Sequence, residues 1–167
     1  RVLDVTNKGQ SIFTQDDLVY ATAATLPGKQ ISSVAAPYSG LEFKVPGTVQ
    51  YNNSDGFSID FYCDKETRAR VAVENWITEI FNDADSVGDG KLHADSNITL
   101  AQLDDKFDVV RTYKLFGVWA KDCGDIAYVM TDTGNIATVT ATFVYQFFRR
   151  DNEINQSLNL IGKLGGG

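Results

Sequence analysis

The segment Ala137–Phe148, with the sequence ATVTATFVYQFF, decides the fold class of this chain. Successive side chains of a β-strand point to opposite sides of the sheet. One face would carry Ala137, Val139, Ala141, Phe143, Tyr145 and Phe147, and the other Thr138, Thr140, Thr142, Val144, Gln146 and Phe148. One apolar face and one Thr-rich face without an ionisable group predict a strand at the centre of a large antiparallel sheet, with one face covered and one wetter.

Length and charge exclude several kinds of protein. The chain has 167 residues, which fits one domain with its own core, and a formal net charge of −7. Proteins that grip nucleic acid present basic patches, so this acidic chain is not expected to bind phosphates tightly. No apolar run approaches the ~20 residues that a membrane-spanning helix needs. We therefore expect no membrane span and no specific DNA binding.

One amphipathic helix is predicted between the strands. Apolar residues recur at helical spacing, namely Ala69, Ala72, Val73, Trp76, Ile77, Ile80 and Phe81. Asp64 is the predicted N-cap. The helix Glu66–Phe81 would cover one face of the sheet, and Trp76 and Phe81 would lie in the core.

Alternating segments before and after this helix predict strands. They are Asp17–Leu26, Gln30–Val34, Leu41–Val45, Phe57–Cys63, Asp108–Trp119 with a bulge near Gly117, Ile126–Thr131 and Ile136–Phe148. Ala35–Gly40 reads as a loop. Strands, one helix and again strands predict an α+β fold: a largely antiparallel β-sheet or barrel-like sandwich with one packed α-helix.

The chemistry-bearing residues form no catalytic pattern. Asp83–Asp89 begins like a calcium loop, but Val87 and Ala94 stand where ligands are needed. His93 is the only histidine, and two cysteines without a CxxC pair do not indicate a zinc site. We expect no catalytic residue, no metal and no cofactor, and hence no enzyme.

Three pieces of sequence, in this order, resemble a known family. They are ATLPG at Ala24–Gly28, the helix start Asp64 to Arg68 with Trp76 behind it, and the final strand from Asn135 to Tyr145. Over roughly Asp17–Phe148 the chain resembles the tail tube proteins of contractile-tailed (T-even-like) bacteriophages and their paralogues, the baseplate tube initiators. None of these pieces is a catalytic signature.

The resemblance implies an assembly. Six subunits would join their sheets into a hexameric, 24-stranded tube, and full closure leaves no sheet edge exposed. Stacked rings would lie inside the sheath, with baseplate and tape-measure proteins as partners and DNA passing through the lumen without specific binding. The protein would be part of the virion, assembled in the bacterial host cytoplasm. Residues 1–16 would be an N-terminal arm, 17–148 the tail-tube domain and 149–167 a C-terminal arm.

The same reading assigns candidate sites. The lumen-facing residues would be Thr138, Thr140 and Thr142. Inter-subunit or inter-ring contacts would be made by Ala35, Pro37, Tyr38, Arg149, Arg150, Leu158 and Ile161. Three alternatives stay open at this point: a baseplate tube initiator or tail-junction protein of the same fold, the tube of a secretion or pyocin-like machine, and a single-chain barrel enzyme or ligand binder that would depend on His93.

Overall fold

The computed structural model describes residues 3–14, 21–63, 66–88, 95–126 and 137–150. These ranges contain thirteen strands and one helix. They are β1 (Leu3–Asn7), β2 (Gln10–Ser11), β3 (Ala21–Ala24), β4 (Lys29–Tyr38), β5 (Leu41–Tyr51), β6 (Phe57–Tyr62), α1 (Arg68–Ile80), β7 (Phe81–Asn82), β8 (Val87–Gly88), β9 (Asn97–Leu103), β10 (Val109–Phe116), β11 (Trp119–Cys123), β12 (Thr138–Val144) and β13 (Phe147–Arg150).

Two antiparallel sheets form the body of the protein. One has five strands in the order β13-β10-β9-β1-β2, and the other has four in the order β11-β12-β6-β3. Two further two-stranded pieces are β4 with β5 and β7 with β8. All described strand pairs are antiparallel. The predicted α+β class, a largely antiparallel sandwich with one helix, is confirmed.

Apolar side chains from both sheets fill the core. Val5 and Leu115 from the five-stranded sheet and Phe61 and Phe143 from the four-stranded sheet are completely buried. Burying a side chain of this size stabilises the fold by roughly 1.5–3 kcal/mol. Because each strand sends alternate side chains inward, the opposite faces of both sheets are left for solvent or for partners.

The helix packs where its periodicity predicts. Ala69, Val73 and Trp76 are its buried residues, and the Trp76 ring lies 5.8 Å from the Phe143 ring, centroid to centroid. The helix begins at Arg68, where Thr67 precedes it with φ of 50° and no side-chain capping bond. The predicted cap Asp64 lies outside the described residues.

The prediction that Phe81 is a core residue is wrong. Phe81 leaves the helix axis as the first residue of β7, and more than half of its side chain is exposed. Its backbone is extended at the point where the helix ends, with φ of −147°. The helical spacing therefore stops applying at this residue.

The segment Ala137–Phe148, which the alternation predicted to be one strand, belongs to two strands. Thr138–Val144 is β12 of the four-stranded sheet, and Phe147–Arg150 is β13 of the five-stranded sheet. The chain crosses between sheets at Tyr145 and Gln146. Val139, Ala141, Phe143 and Tyr145 are buried as the alternation predicts, but beyond the crossing Phe148 is buried and Phe147 is exposed. A single strand over the whole segment was therefore a wrong expectation.

The segment Asp108–Trp119 crosses at the same corner. Its first part is β10, and after Gly117 and Val118 it enters the other sheet as β11. The Gln146 N–H donates to the Phe116 carbonyl over 2.9 Å, which ties the two crossings together. What the sequence indicated as a bulge near Gly117 is a corner, and strands that change sheet in this way are typical of packed sandwiches.

The predicted loop Ala35–Gly40 is mostly strand. Ala35–Tyr38 completes β4, and only Ser39 and Gly40 form the turn into β5, with φ of 48° and 80°. Positive φ at both turn residues is the requirement of a type I′ hairpin turn. The result is a hairpin with strands of 10 and 11 residues.

The N-terminal residues take part in the sandwich. Leu3–Asn7 pairs with β9, and Val5 lies in the core. Residues 3–14 therefore pack with the domain, although the sequence set residues 1–16 apart as an arm. The C-terminal arm beyond Arg150 and the predicted strand Ile126–Thr131, apart from Ile126, lie outside the described residues. In the described ranges no helix has the length and apolar character to span a membrane.

We expect Gly117→Ala to destabilise the protein by about 1–2 kcal/mol. Gly117 has φ of 64°, and an added Cβ would lie 2.6 Å from Cγ of Gln146. Gly56→Ala is the control, since nothing lies within 4 Å of the Cβ position there. Thermal or urea unfolding compares the two, and equal stabilities would contradict the strained corner.

Burial raises the pKa of the Tyr145 phenol to about 12, and the neighbouring Tyr51 adds to the effect. A raised pKa in the folded state means that the Tyr145 contribution is complete below pH 10 and is lost as pH rises towards 12. Tyr145 also donates to the Asn52 carbonyl over 2.7 Å. Tyr145→Phe should cost about 1 kcal/mol at neutral pH and should flatten the fall in unfolding free energy between pH 10 and 12. An unchanged slope would contradict this assignment.

Candidate assembly surfaces

The outward face of the four-stranded sheet is polar. Thr138 and Thr140 are exposed and Thr142 is half-buried, so the three candidate lumen residues share this face. The register places them opposite Tyr62, Asp60 and Ser58 respectively. The Thr140 hydroxyl donates to the Asp60 carboxylate over 2.7 Å. The three threonines thus lie on one face of the sheet, as their spacing predicted.

The two edges of this sheet run in opposite directions. With four antiparallel strands, β3 at one edge is antiparallel to β11 at the other. A copy rotated about an axis along the strands could therefore pair its β11 with β3 in an antiparallel ladder. The five-stranded sheet has an odd number, so its edge strands β13 and β2 run in the same direction.

Each edge of the four-stranded sheet carries a one-residue bulge. The extra residue is Thr22 in β3 and Lys121 in β11. Lys121 reaches an exposed ion pair with Asp55 at 3.1 Å, which contributes little to stability. Bulges increase local twist and curvature, which is the deformation that a sheet needs in order to close into a barrel.

The long hairpin β4–β5 is anchored at its base. Arg149 donates through Nη1 to the Tyr51 hydroxyl over 3.1 Å, and the Tyr51 ring packs edge-on against Phe148 at 5.3 Å. Asn52 after the hairpin donates its N–H to the Gly28 carbonyl before it. The hairpin therefore leaves the body from a fixed point on the sheet corner.

The outer half of the hairpin exposes apolar side chains. Val34, Tyr38, Leu41, Phe43 and Val45 are all exposed, Tyr38 by 71%. Among the described elements, β4 and β5 pack extensively only against each other. A lone two-stranded ribbon is marginally stable in water, so such a surface indicates a partner.

The predicted contact residues fall at different places. Ala35, Pro37 and Tyr38 lie near the hairpin tip, with Ala35 and Pro37 on one face and Tyr38 on the other. Arg149 is half-buried and supports the hairpin base, whereas Arg150 is exposed on edge strand β13. Leu158 and Ile161 lie outside the described residues.

Sequence reasoning missed the hairpin residues Leu41, Phe43 and Val45 as surface candidates. Their signal was present: they alternate with Glu42 and Lys44, which indicates a strand with one apolar face. An apolar face is usually assigned to the core, and nothing in one sequence tells a core strand from a strand that covers a partner.

The rival enzyme hypothesis requires polar or ionisable side chains that converge in a pocket. His93 lies outside the described residues. An open surface depression of about 780 Å³ at the hairpin base is lined by Gln30, Val49, Gln50, Tyr51, Asn52, Asn53 and Ser54. Within the described ranges no three His, Cys, Asp or Glu residues are grouped as metal ligands. Cys63 and Cys123 form no disulfide, and burial raises the pKa of Cys123, which makes that thiol a weak nucleophile.

Comparison with known proteins identifies the family and the fold of the chain. A family model described as phage tail tube protein matches residues 2–151. No curated protein sequence matches the chain. Among solved structures, a chain of the sheath/tube terminator of the PVC extracellular contractile injection system in its extended state has a TM-score of 0.59 at 13% identity, over 89% of this chain and 91% of that one.

A chain of the tube-terminating cap of the anti-feeding prophage has a TM-score of 0.56 at 13% identity, over 90% of this chain and 87% of that one. The PVC sheath-tube complex in the extended state contains a chain with a TM-score of 0.52 at 12% identity, over 89% of this chain and 86% of that one. At these identities the structures show a shared fold. The family match covers most of the sequence, and the chain belongs to the phage tail tube protein family.

Proposed function

We propose that this protein is the structural subunit of a contractile tail tube, in which six copies close into a ring and rings stack into a conduit for the genome. The parity of the four-stranded sheet carries this proposal. Its edges β3 and β11 are antiparallel, so identical rotated copies can continue one antiparallel ladder without a break. Six sheets of four strands give the 24-stranded barrel that the family resemblance implies.

The face that such a barrel turns inward would suit moving DNA. Thr138, Thr140 and Thr142 offer hydroxyl groups, and Asp60, Asp122 and Lys121 are the charged side chains near them in the described part of this sheet. The chain as a whole has a net charge of −7. A wall of hydroxyls on an acidic protein gives a phosphate backbone few places to bind, so the polymer can slide.

The remaining partners follow from this role. A solved structure that shares the fold is a chain of the sheath-tube complex of an extracellular contractile injection system. The five-stranded sheet, facing away from the bore, would be the surface toward a sheath, and the ring ends would meet the baseplate and the tape-measure protein. The protein would act within the virion, without catalysis and without a cofactor.

A baseplate tube initiator or tail-junction protein is the second candidate. Residues 151–167 extend beyond β13, the last described strand, and the family model ends at residue 151. A segment outside the shared domain suits a subunit at the end of a tube, where one ring surface meets a different protein. Both roles use the same ring closure.

Assembly of the purified protein tests the proposal. At high concentration, light scattering and negative-stain microscopy should show rings of six and stacked tubes rather than the 18.4 kDa monomer. Single rings that form only with baseplate proteins would assign the initiator role. A monomer that persists both alone and beside its neighbouring tail proteins would contradict the whole proposal.

One pair of variants should distinguish the contacts that close a ring from the contacts that stack rings. Val34→Ser with Phe43→Ser removes apolar contacts from the hairpin, and Glu42→Ser with Lys44→Ser changes its opposite face to the same extent. If the hairpin joins rings, the first variant should give single rings and the second should give tubes. Equal stacking by both would contradict a ring-joining role of the hairpin.

A further inference from the structure

The pairing of the hairpin β4–β5 is interrupted halfway along its length. Ile31 pairs with Val49, and Ser33 pairs with Pro46. Between these pairs β4 has one residue, Ser32, whereas β5 has two, Gly47 and Thr48. The extra residue is a β-bulge in β5, while β4 runs through without interruption.

Local contacts hold this bulge in place. The Ser32 hydroxyl accepts the Thr48 N–H over 3.0 Å and lies 3.2 Å from the Thr48 carbonyl. A Cβ on Gly47 would lie 2.6 Å from the Ser32 hydroxyl and 2.9 Å from Val34 Cγ2. A side chain at position 47 would therefore force this centre apart.

The unbroken alternation of β4 places the two apolar parts on opposite faces. Ile31 and Val34 are three positions apart, so their side chains point to opposite sides. Residues directly opposite in an antiparallel pair share a face, which adds Val49 to Ile31 and Val45 to Val34. Because of the bulge, the apolar residues of β5 change from one face to the other at the same place as those of β4.

The outer half has one apolar face. It carries Val34, Ala36, Tyr38, Leu41, Phe43 and Val45, and the reverse side carries Ser33, Ala35, Pro37, Glu42, Lys44 and Pro46. All six residues of the apolar face are exposed or half-exposed. Together they present on the order of 500 Å² of apolar surface, which is the size of the largest apolar patch on a typical monomer, and such patches are often interaction surfaces.

The inner half is apolar on the other face. Ile31 and Val49 are 61% and 51% exposed there. The reverse side is polar, with Gln30 donating its side-chain N–H to the Gln50 side-chain oxygen over 3.2 Å. Tyr51 continues the Ile31–Val49 face toward the body. A single flat surface cannot cover apolar patches on opposite sides of one ribbon.

We propose that the hairpin is inserted between two other copies of this chain, with its outer apolar face against one copy and its inner apolar face against the other. This rests on the proposed tube function. In a tube of identical subunits every hairpin lies among further copies of this chain, and symmetry provides one docking surface of each kind per hairpin. Two docking faces make each hairpin a bridge rather than a simple contact.

A one-residue insertion tests the opposite placement directly. Inserting a Ser between Ser32 and Ser33 gives both strands two residues at the bulge, so the ladder becomes regular and the outer apolar face turns to the side of Ile31. Deleting Thr48 is the matched control, because it also removes the bulge but keeps the faces opposite. Both variants retain every apolar side chain.

The expected readout is the concentration at which tubes form. The insertion should raise it by at least about tenfold, and the deletion should change it much less. Thermal unfolding of the monomers should stay near that of the wild type, since the outer hairpin does not support the core. Equal assembly by the two variants, with wild-type tubes present, would overturn the bridge and leave the tube function standing.

Photocrosslinking measures how many other copies of the chain contact one hairpin. Phe43 and Val49 are replaced, singly and together, by the photocrosslinker p-benzoylphenylalanine, and the labelled subunits are diluted into excess wild type before assembly. Single labels should give two-chain products, and the double label should give three-chain products. A double label that yields only two-chain products, or a single label that yields no crosslink in formed tubes, would overturn the proposal.

Discussion

The shared corner at Gly117 and Gln146 is the constraint on which the rest of the structure depends. Two neighbouring chain segments leave one sheet and enter the other at this point, joined by the bond from the Gln146 N–H to the Phe116 carbonyl. The crossing divides the strands into a five-stranded and a four-stranded sheet. It also fixes Tyr145 and Arg149, which hold the base of the long hairpin.

That division explains how one fold can both close into a ring and stack its rings into a tube. An even number of antiparallel strands gives a sheet whose edges can pair with identical copies, while the odd sheet on its other side cannot continue in the same way. The hairpin lies outside both sheets, so its side chains are free to be selected for contacts between subunits. The proposed tube therefore uses backbone pairing around the ring and apolar side chains along it.

Much of this architecture could be predicted from the sequence. Helical spacing correctly placed Trp76 in the core, and alternation correctly placed Thr138, Thr140 and Thr142 on one face. Periodicity is set by the local backbone, so it is readable locally. It fails where the backbone changes direction, as at Phe81, where the helix gives way to an extended strand.

The crossing between sheets and the length of the hairpin could not be predicted in this way. Alternation continues through Tyr145 without showing that the next residues pair with a different strand, because pairing depends on distant residues such as Phe116. Pro37 and Gly47 indicate turns by composition, yet both lie within strands. Pro37 stands in β4, which among the described strands pairs with β5 alone, and Gly47 stands in a bulge that only a residue without a side chain can fill.

A helical reconstruction of the assembled tube by cryo-electron microscopy tests the central claim most directly. The claim is that the four-stranded sheet lines the bore and joins its copies edge to edge. The density should show β3 of one subunit in an antiparallel ladder with β11 of the next, with Thr140 facing the lumen. A bore lined by the five-stranded sheet, or subunits joined through side chains without a continuous ladder, would contradict it.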